Sequence, residues 1–240
     1  MKAFRIGIMS LAVFASVTAA SAAVVSSVET DIAPSGANPG DPYTPTFSSG
    51  GPSSSDLLEG MTPSDQSGNF QEEASAGVAA LTNGSVATFY GTQNSDSDHT
   101  AYATGHDGDS VTYDLGGAYN LSSVVIYGGW NDGGRDAQHY DLQISVDNGA
   151  NYSTIGSIDI NPGVQGTDTT PISNRVAFTE DALSYLATGA TNLKVNFLGV
   201  ENGYTGYTEI DAFGVQVPEP STALFAGIGA LAFAVRRRPG

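Results

Sequence analysis

The chain has 240 residues, a formal net charge of −17, 30 glycines and no cysteine. Without cysteine there is neither a disulfide framework nor a thiolate metal site or nucleophile. The five terminal bases set aside (Lys2, Arg5 and Arg236–Arg238), and Glu219 with them, the body carries 24 acids against Arg135, Arg175 and Lys194. That imbalance excludes binding to a nucleic-acid backbone and adhesion of the body to anionic lipid. It suits solubility, divalent cations or neutral sugars.

Residues 1–22 read as a secretory signal. Lys2 and Arg5 precede an apolar stretch from Ile6 to about Thr18, and Ala20-Ser21-Ala22 supplies small residues at the cleavage positions. The alternative is an N-terminal membrane anchor. Residues 23–55 are rich in Ser, Gly and Pro and offer few side chains for burial, so they read as a flexible leader.

The pattern changes at Asp56. Leu57, Leu58 and Met61 suggest a strand start. Val78–Leu81 leads to a turn at Asn83-Gly84, Val86–Tyr90 follows, and residues 91–110 read as a polar loop. Val111, Tyr113 and Leu115 alternate into a strand that Gly116-Gly117 should end. Val124–Tyr127 and Tyr140–Val146 are two further strands, and in the second Tyr140, Leu142, Ile144 and Val146 point one way. A turn at Asp147-Asn148-Gly149 precedes strands near Tyr152–Ile160 and around Val176 and Phe178. Glu180–Ala187, closed by Gly189, reads as a short helix. Leu193–Phe197 and Thr208–Val217 complete the set. Eight to ten short strands separated by turns predict an all-β fold, an antiparallel β-sandwich or jelly roll.

Between two of these strands lies a glycine-rich loop holding Trp130, the one tryptophan, and Arg135. A tryptophan offers a flat face to sugar C–H groups, and an arginine offers forked donors. Asn131, Asp132, Asp136 and His139 add hydrogen-bonding groups, which makes this loop the candidate ligand site. The competing reading is that Trp130 closes one end of the core and Arg135 pairs with a local acid. His99 and His106 lie in a polar stretch that matches no metal-loop spacing. No nucleophile–base–acid arrangement stands out, and the chain is read as no enzyme.

The tail carries Val217-Pro218-Glu219-Pro220, an apolar run from Ser221 to Val235, and Arg236-Arg237-Arg238. As a helix the run spans about 22 Å, marginal against a hydrocarbon core of about 30 Å. The arginines would stay cytoplasmic. These three parts in this order resemble the PEP-CTERM sorting signal of Gram-negative bacteria. That resemblance implies recognition by an exosortase, transient membrane attachment through the short span, and delivery to the envelope or the extracellular matrix, in a family associated with exopolysaccharide.

The body, over residues 56–216, resembles the galactose-binding-like sandwich of the discoidin and coagulation-factor type C family. The pieces that match are Asn83–Tyr90, Val111–Gly116, Tyr140–Gly149 and Thr208–Gly214, in the family's order. The resemblance implies sugar binding on the Trp130–Arg135 loop. It also implies one structural Ca²⁺ held by the side chains of Asn83, Thr88 and Glu209, with carbonyls of Leu81, Ser85 and Thr208. Asn83 departs from the family's usual Asp and removes one charge. The expectation is non-catalytic binding of exopolysaccharide or a surface glycan. A structural surface protein without a ligand is the alternative, and a polysaccharide hydrolase the weakest reading.

Overall fold

The structure is a computed structural model that describes residues 24–34, 43–86, 99–131, 134–161, 170–180 and 185–218. Among them are nine strands: β1 (Val24–Ile32), β2 (Asp65–Ser67), β3 (Ala103–Gly105), β4 (Ser110–Trp130), β5 (Gln138–Ser145), β6 (Ser153–Ile160), β7 (Ile172–Glu180), β8 (Ala187–Phe197) and β9 (Thr205–Gln216). Every pairing is antiparallel.

β4 organises the sandwich because it belongs to both layers. Its first half pairs with β2 and β8, and β8 leads on to β5 and β6. Its second half pairs with β7 and β9, which carry β1 and β3 at the edges. The expected break at Gly116-Gly117 is a bulge inside this one 21-residue strand. Gly116 takes φ +70°, where a side chain would be strained. The chain therefore bends from one sheet into the other without ending.

The inner faces meet in one core built from Val111, Val124 and Ile126 of β4, Tyr140 and Leu142 of β5, and facing residues of β7, β8 and β9. Val146 does not join them. β5 ends at Ser145, and Val146 is 59% exposed at the Asp147–Gly149 turn. Glu180 and Ala187 are the last residue of β7 and the first of β8, so the helix expected over 180–187 is not formed at its ends. Residues 181–184, its centre, lie outside the described residues. Leu57 and Leu58 form bends and Met61 is irregular, so no strand starts here, with Leu58 fully buried. Gly77–Thr82 is a 3-10 helix.

The leader departs most from its expected flexibility. β1 lies wholly within it and pairs with β7 along its length, Glu29 facing Arg175. The acids of β1 then hold the following segment. Glu29 Oε2 accepts from Ser48 N and Oγ at 2.7 and 2.6 Å, and Asp31 Oδ2 accepts from Thr46 N at 2.6 Å. These hydroxyl and amide donors lower the Glu29 pKa to about 2. Phe47 then packs on Tyr127, and Tyr43 and Ala33 pack with Trp130. Low hydrophobicity did not prevent order here, because strand pairing satisfies the backbone and polar side chains fix the return loop. The apolar run of the tail, Ser221–Val235, lies outside the described residues, and no helix among those described is long and apolar enough to cross a membrane.

Candidate functional site

The Trp130 loop lies at the end of the sandwich where β4 stops, β5 and β9 start, and β8 delivers its connection to β9. Trp130 is 1% exposed and offers no face to solvent. His99 stacks on it at 4.7 Å and 18°, Tyr102 lies at 4.6 Å, and Tyr204 meets it edge-on at 5.5 Å. The backbone of β9 closes another side. A Cβ at Gly206 would come within 2.5 Å of the indole and 2.2 Å of the Gly129 carbonyl, so only glycine permits this approach. Trp130 is thus a buried foundation, not the stacking platform its loop position suggested.

Asn131 is buried beside it. Its Nδ2 lies 3.1 Å from His99 Nε2, while His99 Nδ1 lies 3.1 Å from the Glu73 carbonyl. The two bonds are satisfied together when Nδ1–H donates to the carbonyl and Nε2 accepts from the amide. Arg135 is what reaches the rim. Its guanidinium carbon sits 4.2 Å from the Tyr204 ring centroid and 5.5 Å from that of Trp130, and Nη2 lies 3.3 Å from Glu73 Oε1. Burial, then Glu73, pushes the Tyr204 hydroxyl well above its ordinary pKa, with Arg135 opposing.

Glu73 was not singled out by sequence reasoning, and its backbone is unusual. Glu73 and Ala74 take φ of +47° and +59° in succession. Left-handed non-glycine residues cost energy and persist only where their surroundings hold them. Here the held group is a carboxylate that meets both Arg135 and His99. His106 adds to the same rim: Nδ1 is 3.1 Å from the Asn69 carbonyl, Nε2 is 3.7 Å from Glu72, and the ring lies 5.9 Å from Tyr204. No local spacing signals Glu73, His106 and Tyr204, because they come from three separate connections. Asp132 lies outside the described residues. Asp136 does not join the rim; it is fully buried on the far side of the loop against Glu201. His139 lies 3.9 Å from Asp159, away from Arg135.

Of the residues expected around calcium, Glu209 and Asn83 meet on the outer face of the β4–β9 sheet. Glu209 is fully buried, directly opposite Tyr127. Its Oε2 accepts from Asn83 N and Ser85 N at 2.9 and 3.2 Å. Its Oε1 has no hydrogen-bond partner. Burial and the neighbouring Asp211 raise its pKa to about 8, against those amide donors. The orphaned oxygen fits a cation. Asn83 fits less well, since its Oδ1 already accepts from Ser85 N and Oγ in an Asx turn. Thr88 lies outside the described residues. Asp211 shares the face, with Oδ2 on Ser53 N and Oδ1 unpartnered, and burial raises its pKa to about 7.

The family model for the F5/8 type C domain matches residues 61–209. The chain belongs to the F5/8 type C family. A second family model, the PEP-CTERM protein-sorting motif, matches residues 216–238. It begins on the last residue of β9, and Val217 N still donates to the Ala118 carbonyl at 2.8 Å. This F5/8 type C domain therefore carries an export and sorting signal directly on its final strand. Of the other sorting residues, Glu219, Pro220 and Arg236–Arg238 lie outside the described residues.

Solved structures resemble the sandwich distantly. A chitosan-binding module from a chitosanase/glucanase of Paenibacillus sp. IK-5 is 18% identical with a TM-score of 0.40, covering 67% of this chain and 99% of that one. The lectin domain of lectinolysin, complexed with Lewis B antigen, is 15% identical with a TM-score of 0.40, covering 67% and 97%. A family 89 glycoside hydrolase of Clostridium perfringens is 20% identical with a TM-score of 0.41; 68% of this chain matches 15% of the enzyme. No curated protein matches the chain.

Proposed function

We propose that the protein is a non-catalytic carbohydrate-binding protein of the cell envelope or extracellular matrix, and that exopolysaccharide or a surface glycan is its ligand. The observation that carries this reading is the Arg135–Glu73 pair lying over the face of Tyr204. A fixed cation and a fixed carboxylate offer forked donors and acceptors to adjacent sugar hydroxyls, and His106 extends the row. Trp130, Asn131 and His99 hold that pair from beneath. Pre-orientation matters because ordering a long side chain on binding costs about 0.5–1.5 kcal/mol.

Glu209 holds a structural Ca²⁺ through Oε1 in this proposal, with Thr88 and loop carbonyls completing the shell. The ion would supply the charge compensation that a buried carboxylate lacks and pin the Asn83–Ser85 turn to β9. The C-terminal motif directs the chain to an exosortase, and the short span holds it in the membrane until processing.

Affinity electrophoresis of the full chain through gels containing exopolysaccharide tests the binding reading. Wild type is expected to be retarded, and Arg135→Ala to run freely while melting within a few degrees of wild type. An absence of retardation on every polysaccharide, together with a large loss of melting temperature in Arg135→Ala, would favour a structural surface protein in which Arg135 only braces the loop.

A further inference from the structure

Asp136 and Glu201 lie on two different loops of the sandwich end, one between β4 and β5, the other between β8 and β9. Asp136 is fully buried, and neither of its carboxylate oxygens has a hydrogen-bond partner. Its main-chain carbonyl accepts from Asn174 Nδ2 at 2.8 Å and Gln138 Nε2 at 3.2 Å, which fixes the backbone. The carboxylate of Glu201 is its neighbour, held on the main chain of the next residue, Ala137. Glu201 is itself buried, with Oε2 accepting from Ala137 N at 3.3 Å and Oε1 from Asn161 Nδ2 at 3.1 Å.

The basic groups nearby are turned elsewhere. The Arg135 guanidinium is committed to Glu73 and Tyr204. His139 faces Asp159. Two neighbouring carboxylates in a buried place cannot both stay ionised without a counter-charge. Burial first, then the charge of Glu201, raises the Asp136 pKa well above the ordinary carboxylate range. At neutral pH the pair therefore demands either a proton or a cation.

A cleft of about 310 Å³ opens against Glu201, lined also by Ala137, Asp159 and Asn161. With His139 on its wall as well, it opens the Glu201 side of the pair to solvent and leaves room for water ligands. Gln138 Oε1, fully buried and unpartnered, is a further oxygen in the same strand start. All of these donors are hard oxygens in an irregular arrangement, which suits Ca²⁺ better than Mg²⁺ with its octahedral demand.

We propose that Asp136 and Glu201 bind a divalent cation, Ca²⁺ by preference, which clamps the Arg135 loop to the Tyr204 loop. This site is distinct from the one on Glu209, at the opposite end of the Thr205–Glu209 stretch of β9. It stands whether or not the rim above it binds sugar.

Terbium luminescence sensitised by Trp130 tests it, in the full chain carrying Glu209→Gln so that the other site is silent. Saturable emission displaced by excess Ca²⁺ is expected. Asp136→Asn and Glu201→Gln, both near-isosteric, should each weaken it roughly tenfold or more. Both should also melt higher than the parent in chelator, because repulsion is removed. Emission unchanged by either variant would place the ion elsewhere and overturn the proposal. So would a parent whose melting temperature is the same in Ca²⁺ and in chelator, since the pair would then hold a proton.

Discussion

The two polar centres of this sandwich are built on opposite principles. At the rim of the loop end, charges are matched: Arg135 meets Glu73, and both ring nitrogens of His99 find partners, in the Glu73 carbonyl and the Asn131 amide. On the outer face of β9, charges are not matched: Glu209 and Asp211 are both buried, each with one oxygen orphaned. A matched, half-exposed centre has little to gain from an ion and is free to receive a neutral ligand. An unmatched, buried centre is unfinished until a proton or a cation arrives.

The largest expected effect strikes the foundation of the first centre. Trp130→Ala removes a buried side chain enclosed by three rings and the backbone of β9, and should cost about 3–5 kcal/mol, read by urea unfolding. A loss below about 1 kcal/mol would mean that the rim does not depend on its foundation. Next comes Gly206→Ala, where a methyl meets the indole and the Gly129 carbonyl. Overpacking of this kind costs about 1–3 kcal/mol, and much of it should persist in a Trp130→Ala background, because the Gly129 carbonyl is the nearer obstacle.

The second centre is probed by pH. Glu209 and Asp211 have folded pKa values of about 8 and about 7, above the ordinary 4.5 and 3.8. A carboxyl raised by folding contributes its stability fully below the unfolded value and loses it as pH rises through the folded one. Melting temperature in chelator should therefore fall between about pH 4 and pH 8. A tenfold difference in proton affinity between the folded and unfolded chain corresponds to about 1.4 kcal/mol. Glu209→Gln should flatten the slope, and saturating Ca²⁺ should flatten it in wild type. A wild-type curve that is already flat in chelator would remove the contrast between the two centres.

The smallest stability effect belongs to Arg135→Ala. The side chain is 17% exposed and its partner Glu73 36%. The pair and the contact with Tyr204 together should contribute about 1 kcal/mol or a little more. That modest cost is what lets the variant separate binding from folding. A loss as large as that of Trp130→Ala would turn Arg135 into a core residue and favour the bracing role.

Much of the fold was legible because it rests on local rules. Alternation marked the strands around Tyr113, Leu142, Val195 and Ile210, and the turn at Asp147–Gly149 fell where its residues placed it. The errors share one cause. Gly116-Gly117 reads as a stop, yet β8 pairs with β4 on both sides of it. The leader reads as flexible, yet β7 offers it an edge, and Glu29 and Asp31 find donors 15–20 residues on. Partners distant in sequence overrode weak local signals.

The candidate site divides the same way. An acidic, cysteine-free, exported sandwich that holds its tryptophan and one of its few arginines on a single loop, with a sorting tail behind, is already written in the order of the residues. Composition and spacing suffice for that, since they are properties of the chain alone. Folding settled the rest: Trp130 lies beneath and Arg135 above, Glu73, His106 and Tyr204 complete the rim, and Asp136 turns inward to Glu201. Burial and charge pairing depend on which loops meet, and the sandwich sets that by bringing together four separate connections of the chain.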